Sequence, residues 1–151
     1  MEIARAEIHD LPDILSLQHL AYQSEAELVG DYLIPPLTQT LEGITEDFKN
    51  GLILKVVENN EIIGSVRMRF FENTLYIGRL IVAPTNQNQG IGTALLLAVE
   101  ELYPDVRLEL FTSDKSNKNL SLYTKNGYKE FKRKKLNENI NFVYLEKYRK
   151  H

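Results

Sequence analysis

The chain has 151 residues, 43% of them hydrophobic and 26% charged, with a formal net charge of −3. That size and balance suit one globular domain over residues 1–151 that buries a single core, and the negative balance argues against nucleic acid or a membrane surface as the main partner. Cysteine is absent, which removes disulfides, thiolate metal sites and cysteine nucleophiles. The opening residues Met1-Glu2-Ile3-Ala4-Arg5 lack a basic-then-apolar leader pattern. No apolar run reaches the length of a membrane span, so the expected location is cytoplasmic.

Glu2 to Glu7 reads as a short strand. Asp10 stands at an N-cap position, with Pro12 and Asp13 in the first turn. Leu11, Ile14, Leu15, Leu17 and Ala21 follow at helical spacing, which predicts a helix from about Leu11 to Gln23. His9 and His19 have no partner at metal-ligand spacing and read as surface or helix-end histidines; no metal is expected. From Ser24 to Pro36 the periodicity breaks, and the segment carries Glu25, Glu27, Asp31 and Tyr32 before Pro35-Pro36. Thr38 to Asn50 regains helical character through Leu41, Ile44 and Phe48, with Gly51 as the expected C-cap. Ser24 to Gly51 thus outlines a helix–loop–helix lid.

Leu52 to Glu58 reads as a strand and Asn59-Asn60-Glu61 as a turn. Ile62 to Glu72 alternates, with Ser65, Arg67 and Arg69 on one face, and Asn73-Thr74 turns into a strand from Leu75 to Val82. Short polar turns between three strands make an antiparallel meander. Gly78 marks the place where a bulge is expected. Past Pro84, the stretch Thr85 to Thr93 is polar with two glycines, and an apolar helical pattern runs to Leu102. Pro104-Asp105 marks a loop and Val106 to Thr112 a strand, parallel to its predecessor because a helix joins them. Ser116 is the expected cap of a short helix Asn117 to Asn126 that stops at Gly127. Tyr128 to Leu136 and Phe142 to Tyr148 read as closing strands. The run Lys132-Arg133-Lys134-Lys135 alternates faces and reads as a solvated edge.

A strand that feeds a glycine-containing loop and then a helix is suited to an anion. The first amides of a helix lack intrahelical partners and carry partial positive charge, and glycine lets a phosphate approach them. The backbone of Gln87, Asn88, Gln89, Gly90, Ile91, Gly92 and Thr93 is therefore a candidate cradle for a pyrophosphate. A phosphate-binding P-loop would need Gly-Lys-Ser/Thr, which is missing here. A dinucleotide fingerprint would need glycine where Leu95 stands, and its acid, at Glu109, falls inside an apolar run and not at its end.

Gln87-x-x-Gly90-x-Gly92 after Val82-Ala83-Pro84 closely resembles motif A of the GNAT superfamily of N-acetyltransferases. Asn119-x-x-Leu122-Tyr123-x-x-x-Gly127-Tyr128 resembles that family's motif B. The order βααβββαβαββ matches over the whole chain. The resemblance implies a mixed α/β (α+β) fold with a mostly antiparallel sheet of about seven strands and four helices, splayed between strands 4 and 5. It implies acetyl-CoA as co-substrate: its pyrophosphate on the loop amides, its pantetheine arm against Leu80, Ile81 and Val82, and a contact with Asn119. It implies direct acetyl transfer to a primary amine, with Tyr123 as proton donor to the departing sulfur. The lid corresponds to the acceptor side, which makes Glu25, Glu27 and Tyr32 substrate-binding candidates. Some members place a glutamate base where this chain has Phe111; Glu109, on the same strand face, is the substitute, with Glu25, Glu27 or a water relay as alternatives. A non-catalytic acyl-CoA-binding module is the second reading. The acceptor and the oligomeric state, a homodimer included, stay open.

Overall fold

The computed structural model describes residues Met1 to Tyr148. Strand β1 (Glu2–Arg5) leads through a 3-10 turn into α1 (Leu11–Ala21), α2 (Gln23–Val29), the single turn α3 (Pro35–Thr38) and α4 (Leu41–Asn50). Strands β2 (Leu52–Glu58), β3 (Glu61–Phe71) and β4 (Thr74–Val82) precede α5 (Ile91–Leu102), β5 (Arg107–Ser113), α6 (Asn117–Lys125), β6 (Lys129–Lys135) and β7 (Asn141–Lys147). The seven strands form one sheet in the order β1-β2-β3-β4-β5-β7-β6. Every pair is antiparallel except β4–β5.

The four expected helices are α1, α4, α5 and α6. The segment read as irregular adds α2 and α3: Gly30, left-handed at φ 69, ends α2, and Pro35 opens α3. Helix α2 has no apolar period to betray it, because Ala26 is its one fully buried residue. Three local expectations change. Gly51 is no left-handed C-cap; its backbone is extended, and glycine is required because a Cβ would stand 2.3 Å from the Met68 carbonyl oxygen. Asp10 and Ser116 stand at N-cap positions but make no capping bond. Asp10 instead accepts from the Glu7 amide and from Lys55. The hairpin turn before β4 falls on Glu72 and Asn73, both left-handed, as are Asn59 and Asn60 in the turn before β3.

Helices α5 and α6 pack on one sheet face over Leu54, Val66, Leu75, Leu108, Leu110 and Val143. A smaller cluster of Ala6, Leu11, Ile14, Ile44 and Ile53 holds α1 and α4 on the other. Strand β6 is exposed along its length, as a solvated charged edge requires.

The sheet opens in its middle. Strands β4 and β5 pair only from Thr74–Tyr76 to Arg107–Glu109 and then part. On the other side of β4, Ser65 faces Ile81 while Arg67 faces Gly78, so Arg79 and Leu80 bulge opposite Val66. The bulge was expected at Gly78; it lies one residue on, with Arg79 left-handed at φ 49.

Candidate functional site

Where β4 and β5 part, a cleft of about 660 Å³ runs between α2, β4, the loop before α5, and α6. Leu80, Ile81, Val82, Gln87, Asn88, Gly90, Ile91, Gly92, Thr93, Asn119 and Glu25 all line it. Gln89 is exposed and does not line it, nor do Glu27 and Tyr32, which face solvent.

The loop's two glycines serve different ends. Gly90 is left-handed at φ 81 with open space where a Cβ would sit, so it fixes the turn that aims the helix start at the cleft. At Gly92 a Cβ would come 3.0 Å from Leu122 Cδ2, so this glycine sets the close approach of α5 and α6. No side chain caps α5, and its first intrahelical bond is Ala94 N–H to the Gly90 carbonyl. The amides of Ile91, Gly92 and Thr93 are left to an external acceptor. Lys118 Nζ donates to Gln87 Oε1 at 2.7 Å, and Gln87 Nε2 donates to the Val82 carbonyl at 3.3 Å, which braces the loop. Lys118 and Lys125 add positive charge to this wall, which together with the helix start suits a pyrophosphate. The donor set fits the coenzyme that the sequence implies.

At the other end, Glu25 of α2 reaches α6: Ser116 Oγ donates to Glu25 Oε1 at 2.6 Å and Asn119 Nδ2 at 3.4 Å. Asn119 also donates to Thr112 Oγ1 at 3.3 Å. Tyr123 is buried at 5% exposure near Tyr22 and Glu25 and is not itself part of the cleft lining, its ring 6.3 Å from that of Tyr128. Its hydroxyl makes no hydrogen bond among the described residues. Burial raises the Tyr123 pKa well above the ordinary phenol value, and the nearby Tyr22 and Glu25 add to the rise. The phenol therefore carries its proton at neutral pH. Tyr22, which lines the cleft, is also raised by burial, with Arg79 opposing.

Glu109 is elsewhere. It faces Tyr76 at the paired end of β4–β5, accepts from Arg107 Nη1 at 2.7 Å, and does not line the cleft. Arg107 also pairs with Glu146 at 2.8 Å. His19 Nε2 lies 3.1 Å from the Gln39 carbonyl, and His9 lies 3.6 and 3.5 Å from Glu7 and Asp10. Sequence reasoning missed Tyr22, Ser116, Lys118 and Lys125 as cleft residues, and Arg67 and Arg79 beside it. The polar face Ser65-Arg67-Arg69 on β3 was the available signal, since an arginine on the core side of a central strand needs a reason.

A model described as the Acetyltransferase (GNAT) family matches residues 11–128. The UPF0157 protein YqkA of Bacillus subtilis (strain 168) is 30% identical over 119 residues, 78% of this chain but 34% of that protein. The chain thus spans only part of that relative's length. The crystal structure of smu.2055 from Streptococcus mutans UA159 superposes with a TM-score of 0.83 at 15% identity, covering 98% of this chain and 99% of that one. A GNAT family acetyltransferase from Elizabethkingia anophelis with acetyl-CoA bound superposes with a TM-score of 0.73 at 24% identity, covering 97% of each chain. At such identities the likeness is one of fold. The match over most of the chain, on a sheet that parts at β4–β5 beside an uncapped helix start, makes this protein a member of the GNAT acetyltransferase family.

Proposed function

We propose that the protein transfers an acetyl group from acetyl-CoA to a primary amine by direct attack. The observation that carries this reading is the parting of β4 and β5 directly onto the uncapped start of α5. One cleft thereby offers unpaired strand amides to an extended arm and free helix amides to a pyrophosphate. In the reaction a C–N bond forms as the amine attacks the thioester carbonyl, and the C–S bond breaks. Tyr123 gives its proton to the departing sulfur, and solvent later restores it. Glu25 is the carboxylate we assign to the incoming ammonium, because it lines the cleft while Glu109 is held by Arg107. It takes the proton that the amine must lose. A strand amide of the bulge stabilises the oxyanion.

The second reading is an acyl-CoA-binding module without transfer, favoured by Phe111, which by the family resemblance stands at the position where some members carry a glutamate base. Calorimetric titration tests the coenzyme part of both readings. Acetyl-CoA should bind and NAD and ATP should not. Gly90→Val, which forces a β-branched residue into a left-handed turn beside the amides, should weaken acetyl-CoA binding about tenfold or more. Failure to bind acetyl-CoA or a longer acyl homologue would sink both readings.

A further inference from the structure

Beside the cleft, β3 and β4 bring two arginines together, and one carboxylate, Asp47, pairs with the first of them. Arg67 lies at 6% exposure between β3 and the helices. Its Nη1 donates to Asp47 Oδ2 at 2.7 Å and Gln39 Oε1 at 2.8 Å, and its Nη2 donates to Gln18 Oε1. Across the ladder Arg67 faces Gly78, and the next residue, Arg79, occupies the left-handed bulge. A Cβ on Gly78 would meet nothing within 4 Å. Arg79 has no ion-pair partner among the described residues, and the Nε atoms of both arginines are buried without a hydrogen-bond acceptor. An unmet buried donor costs about 1–3 kcal/mol, and more on a charged group, so two of them on neighbouring strands call for an acceptor from outside the chain. Burial holds the Arg67 pKa below the usual guanidinium range; the charge of Arg79 pushes the same way, while Asp47 opposes.

Tyr22 connects this corner to the chemistry. It lines the cleft, and its phenol stands among Arg79, Glu25 and Arg67. A small acceptor seated there meets Glu25 toward Tyr123 and an arginine toward β3. We propose that Arg79, backed by Arg67, binds a carboxylate of the acceptor, so that the acceptor is an amino-acid-like molecule carrying both an ammonium and a carboxylate. A carboxylate brings acceptor oxygens to the guanidinium fork. Its single charge matches the one positive charge left once Asp47 is counted, whereas a phosphate brings nearly two. The inference rests on the acetyl-transfer reading above and narrows its acceptor class.

The test is an acceptor panel of matched pairs, run on the full chain with thiol release as readout and calorimetric acetyl-CoA binding measured in parallel. Each amino acid is set against its amide and its decarboxylated amine, with an aminoalkyl phosphate and a polyamine alongside. Carboxylate-bearing amines should exceed their neutral counterparts about 10- to 100-fold in kcat/KM, as hydrogen bonds to a charged group imply. Arg79→Gln should erase most of that ratio through KM, and Arg79→Lys, which keeps the charge without the fork, should retain part of it. Acetyl-CoA affinity reports on the fold and coenzyme site of each variant. Equal or better turnover of the neutral amine, the phosphate or the polyamine would overturn the inference. So would acetyl-CoA binding without transfer to any carboxylate-bearing amine, which would leave the coenzyme reading intact; loss of acetyl-CoA binding itself would remove both.

Discussion

Tyr123 is a buried phenol that donates to no described group, which makes its substitution unusually clean. Phenylalanine fills the same space, keeps the ring contact with Tyr128 and breaks no hydrogen bond. Tyr123→Phe should therefore leave the unfolding midpoint and acetyl-CoA affinity nearly unchanged while kcat falls about 100-fold or more, the usual contribution of a general acid. Unchanged kcat would remove Tyr123 from proton transfer. Retained binding in a wild-type chain that never turns over would favour the non-catalytic module. Gly51 carries a residue-scale prediction of the opposite kind. Its missing Cβ makes room for the Met68 carbonyl oxygen, a backbone atom that cannot rotate away. Gly51→Ala should destabilise the fold by about 1–3 kcal/mol, as overpacking does, read as a lower urea midpoint with an unchanged slope. An unchanged midpoint would mean that α4 and β2 can separate at no cost. The Gly51 requirement was not legible in the sequence, because a glycine after a helix looks the same whether its φ is left-handed or its neighbour is a carbonyl. Gly90 and Gly92 were legible as a pair through their spacing, although their separate reasons needed the packing of α6.

At the scale of elements, α2 owes its position less to its own sequence than to a polar strap. One end is Glu25 and the other is Ser116 and Asn119 of α6, while its apolar anchorage rests on Ala26. Removing the Ser116 hydroxyl should loosen α2 without unfolding the sheet. Ser116→Ala is expected to speed amide exchange in residues 23–29 several-fold, corresponding to roughly 1 kcal/mol for one charge-assisted hydrogen bond, while exchange in β3 and β4 stays slow. Exchange that rises equally everywhere would show a global effect and dismiss the strap. The strap also explains which elements the sequence disclosed. Helices α1, α4 and α5 bury an apolar stripe each, and along the continuously buried stretch of β3 Gly64, Val66 and Met68 alternate with Ser65 and Arg67, so a period of the element is there to be read. Helix α2 buries one alanine, so no period existed to be found. Tyr22 was hidden for a related reason: it ends one helix and begins another, where a helical period carries no information about a cleft. Glu109 was the reverse case. Its alternation with Leu108 and Leu110 is legible in the sequence, but β4 and β5 are still paired at its level, and Arg107 stands beside it.

For the whole molecule, the strand directions from β2 to β5 follow from a chain whose hairpins fix β2, β3 and β4 as antiparallel and whose α5 crossover fixes β5 as parallel. The docking of the helical α1 corner against the sheet depends on polar contacts as well, and acid exposes one of them. Asp10, between β1 and α1, accepts from the Glu7 amide at 2.8 Å and from Lys55 of β2 at 2.7 Å, tying the α1 corner to the sheet. Burial by itself raises its carboxyl pKa; the Glu7 amide and Lys55 together outweigh that and hold it below the ordinary value of 3.8. A carboxylate whose folded pKa lies below its unfolded one contributes its full stabilisation above the unfolded value, about 3.9. As pH falls past that value the unfolded chain takes up the proton first, and the contribution drains until the folded pKa is passed. Asp10→Asn keeps an oxygen for the Glu7 amide but loses the charge and leaves Lys55 without its partner. It should lower stability at pH 7 by roughly 1–3 kcal/mol, and the gap to wild type should narrow as pH drops below about 4. Urea unfolding of both proteins at pH 7 and near pH 3 reads this directly. Curves that stay parallel would mean that Asp10 has the same pKa folded and unfolded, and the corner would then be held by the apolar contacts of Leu11 and Ile14 alone.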